Sequence, residues 1–288
     1  MLSGGLFTHD RLLMTSQAFF AFCAISSGVY FINDIIDAPR DRKHPIKSNR
    51  PIASRKLSEK TAWVVAFVLI LTSIGYSFVN IGTFFTYAMI SYVVIQLLYS
   101  LYFRNVIILD SLVVATGFVI RVFAGGFASL TSISSWLILA TIGVSLLLAF
   151  GKRRSEKTIL AKYLGSKDIT DTRKTLRHYP DSLLDSMISM SATYTIISYS
   201  LFAFMVSPQI AGKKLAGYLP SILGSPKWMM LTIPFVIYGV ARYLYVIYEK
   251  QEGESPERVL LSDVPLLLSV LLWGLTIMVI IYIMPIIA

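Results

Sequence analysis

Stretches of about twenty nearly uncharged apolar residues recur along this 288-residue chain, and no other feature constrains its fold as strongly. At about 1.5 Å per residue such a stretch, wound as a helix, crosses a hydrocarbon core of roughly 30 Å. The runs fall at 16–36, 61–79, 82–103, 107–125, 134–151, 184–206, 228–248 and 264–286. They predict an all-α fold, a polytopic bundle of eight transmembrane helices. With 55% hydrophobic and 15% charged residues and a mean hydropathy of +0.67, a water-soluble globule is excluded. The net charge of +10 would suggest a nucleic-acid partner in a soluble chain. Here positive-inside topology accounts for it, and no nucleic acid is expected.

Of the 26 Lys and Arg residues, 21 fall in the segments 37–60, 104–106, 152–183 and 242–263. These are expected to be loops on the cytoplasmic side of a prokaryotic cell membrane, so the chemistry should face the cytoplasm. No Gly/Ser linker or low-complexity tract divides the chain, and residues 1–288 are read as one integral membrane catalytic domain. Met1–Arg11 shows no cleavable signal pattern. The single cysteine, Cys23, lies in an apolar run and is expected in the core, which excludes disulfides. With His9, His44 and His178 scattered, a metal site built from Cys or His is not expected.

The densest group of chemical side chains lies at the end of the first run. Asn33, Asp37 and Asp41 follow at i, i+4 and i+8, which places three oxygen side chains along one helix face, with Asp34 turned about 100° away. Such a set suits Mg²⁺, which takes one or two carboxylates and completes its shell with water and substrate phosphates. Asn33 and Asp34 directly follow Val29-Tyr30-Phe31-Ile32, a depth at which ionisable groups are costly. Arg42, His44, Lys47 and Arg50 come next, and a carboxylate-held cation beside several cationic donors is what a diphosphate requires.

Two further groups follow. Tyr99, Arg104 and Asn105 precede Asp110, which stands a few residues inside an apolar run and so needs a partner. Arg121 is eleven residues on, about 16 Å along the helix, too far to pair with Asp110 directly. At the end of the fifth run stand Lys152, Arg153, Arg154 and Glu156. Asp168 or Asp171 reads as the N-cap of a surface helix leading toward Tyr179.

Asn33-Asp34-x-x-Asp37-x-x-x-Asp41 followed by Arg50-Pro51-Ile52-Ala53 resembles the first aspartate-rich motif of the UbiA superfamily of intramembrane prenyltransferases. Asp41-Arg42-Lys43-His44-Pro45-x-Lys47-x-x-Arg50-Pro51 resembles the branch whose members transfer phosphoribose to decaprenyl phosphate. The spacing of Tyr99, Arg104, Asn105, Asp110 and Gly117-Phe118-x-x-Arg121 resembles the same branch, with Arg104 where it has Lys. Typical prenyltransferases carry a second aspartate-rich motif where this chain has Lys152-Arg153-Arg154-x-Glu156. The resemblance covers essentially the whole chain. It implies nine helices, so eight spans here suggest that the first is missing.

What the resemblance implies is an Mg²⁺-dependent transfer of 5-phosphoribose from 5-phosphoribosyl diphosphate to a polyprenyl phosphate, feeding arabinose-containing cell-wall glycans. Asn33, Asp37 and Asp41 would hold the metal, and Asp37, Asp41 and Asp110 would carry the catalysis. Asp34, Arg42, His44, Lys47, Arg50, Tyr99, Arg104, Lys152, Arg153, Arg154 and Glu156 would bind substrate. The alternative is a UbiA-type transfer of a prenyl group from a prenyl diphosphate to an aromatic or isoprenoid acceptor. A transporter is a third reading, since buried charges also mark ion pathways, but clustering of charge at one membrane face argues against it.

Overall fold

A computed structural model describes residues 9–43, 47–172, 179–206, 227–250 and 256–284. All regular structure among them is helical. In chain order the α-helices are α1 (His9–Asp41), α2 (Glu59–Asn80), α3 (Thr83–Leu101), α4 (Leu109–Ser129), α5 (Ser135–Thr172), α6 (Asp181–Met205), α7 (Ile233–Tyr245), α8 (Pro256–Ser262) and α9 (Val264–Met278). Among the described residues eight segments are long and apolar enough to cross a membrane, each overlapping one of the eight apolar runs. Large apolar side chains such as Phe19, Leu71, Val79, Phe84 and Leu275 stand exposed along these segments, as lipid contact demands. The chain is an integral membrane protein.

The chain divides into two compact units. One comprises 8–133 with 156–184, and in it α1 packs on α2, α3 and α4 while α3 also packs on α4. Its core interleaves Ala18, Ala21, Ile25, Val29 and Ile32 of α1 with Ala66 and Ile70 of α2, Phe85, Met89 and Tyr92 of α3, and Ala124 and Ala128 of α4. Small residues let the backbones approach, which in lipid supplies packing that the hydrophobic effect does not. Gly28 shows how closely: a Cβ there would lie 2.8 Å from Ile70 Cγ1 and 3.0 Å from the Ala66 carbonyl oxygen. Gly28→Ala should therefore destabilise the protein by about 1–2 kcal/mol through overpacking, read as a lower melting temperature in detergent. An unchanged melting temperature would mean that α1 and α2 are free to separate.

Local chemistry sets the helix ends. The Ser58 hydroxyl accepts from Thr61 N at 3.1 Å, capping α2, with Glu59 in its first turn favourable to the helix dipole. The reversal into α3 occurs at Gly82, whose φ of +141° is open only to glycine. Pro39 stands inside α1, which ends two residues later at Asp41.

The other unit comprises 134–155 and the chain from Asp185 onward. Its core gathers Ala140 of α5, Tyr199, Phe202 and Ala203 of α6, Met229, and Ile277 and Ile280. Trp273 Nε1 donates to Tyr199 Oη at 2.7 Å, and Tyr199 Oη lies 2.6 Å from Thr232 Oγ1, so the polar atoms of this apolar core satisfy one another. Asp263 caps α9 by accepting from Leu266 N and takes both guanidinium arms of Arg242, at 2.9 and 3.0 Å.

Three local expectations are corrected. The segment 152–183 is not a loop throughout: α5 runs on to Thr172, because Lys, Arg, Glu, Ala and Leu favour helix and no proline intervenes before Pro180. Asp168 and Asp171 accordingly stand within α5, not at the start of another helix. Cys23 is exposed, not core, since it projects from α1 away from the packed stripe of Ala18, Ala21 and Ile25.

Candidate functional site

At its C-terminal end α1 presents four oxygen side chains within nine residues. Successive residues of a helix turn by about 100°, so Asn33, Asp37 and Asp41 fan over about 80°, whereas Asp34 and Asp41, seven apart, differ by only about 20°. The contacts follow that geometry. Arg50 Nη1 donates to Asp34 Oδ1 at 2.8 Å and to Asp41 Oδ2 at 2.9 Å, so two carboxylates two turns apart converge on one cationic nitrogen. Arg50 is presented by the 3₁₀ turn Lys47–Asn49, with its own N–H donating to the Lys47 carbonyl.

Asn33 is met from α3, and Asp37 from the 3₁₀ turn that follows it. Ser100 Oγ donates to Asn33 Oδ1, and Arg104 Nη1 donates to Asp37 Oδ1. Both pairs step four residues on each chain segment, so the last turn of α3 and the 3₁₀ turn Phe103–Asn105 follow α1 in register. Arg104 is 8% exposed, and its charge needs the Asp37 carboxylate at that burial. Tyr99 lies beside Ser100, half-buried.

A fourth ion pair closes this group. Lys47 Nζ donates to Glu156 Oε1, and Glu156 is 2% exposed. Of the remaining cations in the first motif, Arg42 donates Nε to the Ala53 carbonyl and Nη2 to Glu59 Oε1, each at 3.3 Å, and so ties the loop to the start of α2. His44 lies outside the described residues, as does His178.

Asp110, at the start of α4, is fully buried and accepts a 2.7 Å hydrogen bond from Tyr179 Oη. The same hydroxyl accepts from the Ile108 N–H. Ile108 has φ +67° and ψ −47°, a conformation that a β-branched residue adopts only under strain of about 1–3 kcal/mol. Burial, reinforced by the neighbouring Asp110, pushes the Tyr179 phenol up to about 12, so it remains a donor throughout the neutral range. Lys157 Nζ donates to the Tyr179 carbonyl at 2.7 Å and pairs with Asp181 at 2.9 Å.

Lys152, Arg153 and Arg154 belong to the other unit. There Arg154 Nε donates to Asp185 Oδ1 at 2.9 Å, Tyr248 Oη donates to the same oxygen at 3.1 Å, Arg153 is 3% exposed and Lys152 is half-buried. Arg121 is held by π faces: Nη2 donates to Tyr92 Oη at 2.8 Å, and its guanidinium carbon lies 4.8 Å from the Tyr92 ring centroid and 5.1 Å from that of Phe118.

Sequence reasoning missed Ser100, Lys157, Tyr179 and Asp185. Only the need of Asp110 for a partner pointed toward one of them, and spacing had no means of saying which hydroxyl 69 residues away would meet it.

The acids suit a hard divalent cation. Asp34 and Asp41 already converge on positive charge at Arg50 Nη1, and Asp37 and Asn33 add oxygen donors on the same helix end. Among the described residues no three Asp, Glu, His or Cys side chains gather into a metal cage. Mg²⁺ does not need one, since it binds through one or two carboxylates and otherwise keeps water and phosphate oxygens.

Residues 3–271 match the model of the UbiA prenyltransferase family. The chain is 32% identical over 281 residues to the decaprenyl-phosphate phosphoribosyltransferase of Corynebacterium glutamicum, covering 97% of this chain and 79% of that protein. It is 35% identical over 269 residues to the decaprenyl-phosphate phosphoribosyltransferase of Mycolicibacterium smegmatis, covering 92% and 79%. Its fold is similar to that of a UbiA homolog from Archaeoglobus fulgidus, with a TM-score of 0.59 at 16% identity over 96% of this chain and 90% of that one. With the family's pattern matched along nearly its whole length and the same helical fold beneath it, this chain belongs to the UbiA prenyltransferase family.

Proposed function

We propose that the protein transfers 5-phosphoribose from 5-phosphoribosyl diphosphate to a polyprenyl phosphate of the decaprenyl type, releasing diphosphate. The observation that carries this reading is the likeness, over more than nine-tenths of the chain, to relatives named for that transfer. The acid of the third motif agrees with it. Glu156 pairs with Lys47, and Lys152, Arg153 and Arg154, which precede it in the sequence, are cations where a prenyl-diphosphate enzyme of the family would want a second acidic metal site.

In this reading the whole chain is one catalytic domain. It lies in the cytoplasmic membrane of a prokaryote with its site toward the cytoplasm, the side favoured by the Lys and Arg bias. The sugar donor is soluble and highly anionic, while the acceptor keeps its tail among apolar helices and brings its phosphate to the same surface. Arg50, Arg104 and Lys47 hold carboxylates in the present arrangement, and a bound donor offers them phosphate oxygens instead. Arg42, His44 and Tyr99 are proposed to bind phosphorylated substrate as well, and in the other unit Lys152, Arg153 and Arg154 are each proposed as phosphate contacts.

Asp37 and Asp41, with Asn33 and Asp34, would hold Mg²⁺, which when bound supplies Lewis-acid neutralisation of the departing diphosphate. The bond from ribose C1 to diphosphate oxygen breaks, the diphosphate leaves with the electron pair, and an oxygen of the lipid phosphate forms the new bond to C1. Asp110 is assigned to the ribose hydroxyls. A phosphate monoester is already anionic at neutral pH, so the acceptor needs no strong general base.

The test is label transfer. Detergent-solubilised protein given radiolabelled 5-phosphoribosyl diphosphate and polyprenyl phosphate should move label into the organic phase with Mg²⁺ and not with a chelator. Failure to do so, together with alkylation of an aromatic or isoprenoid acceptor by a prenyl diphosphate, would assign the chain to prenyl transfer instead.

A further inference from the structure

The turn that leads into α4 is bent against its preference and carries a buried carboxylate, and one side chain holds both features. Tyr179 is 0% exposed, and its single hydroxyl is used twice, accepting from the N–H of the strained Ile108 and donating to Asp110 Oδ1 at 2.7 Å. The Tyr179 backbone is itself tied down, its carbonyl accepting from Lys157 Nζ at 2.7 Å while Asp181, two residues on, pairs with the same ammonium. The turn thus held begins at Val106, two residues after Arg104, the partner of Asp37.

We propose that Tyr179 is a positioning residue for the sugar-donor side of the site, its hydroxyl fixing the Asp110 carboxylate and the Ile108 turn in one geometry. The assignment of Asp110 to the sugar rests on the function proposed above; the latch itself does not. Without the hydroxyl, Asp110 Oδ1 loses its 2.7 Å donor and is left the longer 3.4 Å bond from Ser111 Oγ, while the Ile108 N–H loses its acceptor, so the turn relaxes away from positive φ. A loop tyrosine kept only to fill space would need neither hydrogen bond.

The discriminating variant is Tyr179→Phe, which keeps the ring and removes only the oxygen. The expected result is a rise of about tenfold in KM for 5-phosphoribosyl diphosphate with KM for polyprenyl phosphate within twofold of wild type. Combined with Asp110→Asn, Tyr179→Phe should add less than twofold to the loss caused by Asp110→Asn alone. Donor KM within twofold of wild type, or both KM values moving together, overturns the positioning role.

Hydrogen exchange of the peptide spanning residues 104–112 reads the latch without any substrate. Tyr179→Phe should exchange at least tenfold faster there and not in α2. If the wild type transfers no pentose, the functional reading fails and exchange alone decides: faster exchange sustains the latch, and unchanged exchange overturns it. Should Tyr179→Phe not fold, Lys157→Met releases the same segment from its carbonyl and is expected to move donor KM and exchange in the same directions by a smaller factor. No movement in either then overturns the proposal.

Discussion

Alanine at Asp37 is expected to lower turnover by roughly 10³-fold while leaving the protein in the membrane, an effect of the size that removal of a preorganised electrostatic group produces. Asp37 is the carboxylate that Arg104 of the 3₁₀ turn after α3 engages, and Arg104 is 8% exposed, so the deletion removes a proposed metal donor and also takes a carboxylate from a nearly buried guanidinium. Folding should survive, because α1 is held by its apolar stripe from Ala18 to Ile32. Label transfer measures the first quantity, and the amount of protein in the membrane fraction measures the second. Asp37→Asn separates charge from shape: it keeps an oxygen for Arg104 and should recover stability but not rate. Wild-type turnover in the alanine variant would remove Asp37 from the site.

Much of this arrangement is legible in the sequence, for a physical reason. A segment that crosses lipid must be apolar for about twenty residues, so spans announce themselves, and an acid at the edge of one is too costly to be incidental. Asn33, Asp34, Asp37 and Asp41 stand out on that ground alone. Their pairing is less legible. Four-residue steps place Asn33 and Asp41 on one side of a helix only loosely, whereas the seven-residue step from Asp34 to Asp41 nearly closes two turns, and it is that pair which shares Arg50.

Contacts made across the fold have no local signature. Arg104 and Asp37 are 67 residues apart, Asp110 and Tyr179 are 69, and nothing in the spacing of either partner specifies the other. The far end of α5 was hidden for a different reason. Hydropathy marks where a helix leaves the membrane, and the charged residues after Gly151 that signal the exit are also good helix formers, so the helix outlasts the span.

The pair formed by Lys47 and Glu156 permits the sharpest separation of stability from chemistry. Glu156 is 2% exposed, and Glu156→Ala should cost about 3 kcal/mol, because it removes one partner of a buried ion pair. The double variant Lys47→Met with Glu156→Leu removes both charges and keeps apolar bulk, and it should recover most of that loss in a detergent melt, since replacing both partners of a buried pair is often neutral. Activity should not return with it. If Lys47 serves only to neutralise Glu156, the double variant regains turnover along with stability. If Lys47 exchanges Glu156 for a phosphate oxygen of the donor, turnover stays at least roughly tenfold down, as loss of a charged hydrogen bond to substrate worth about 1.5–3 kcal/mol requires. The second outcome is expected, because Lys47 belongs to the same 3₁₀ turn that delivers Arg50 to Asp34 and Asp41, and a cation placed there as mere ballast would be matched as well by methionine.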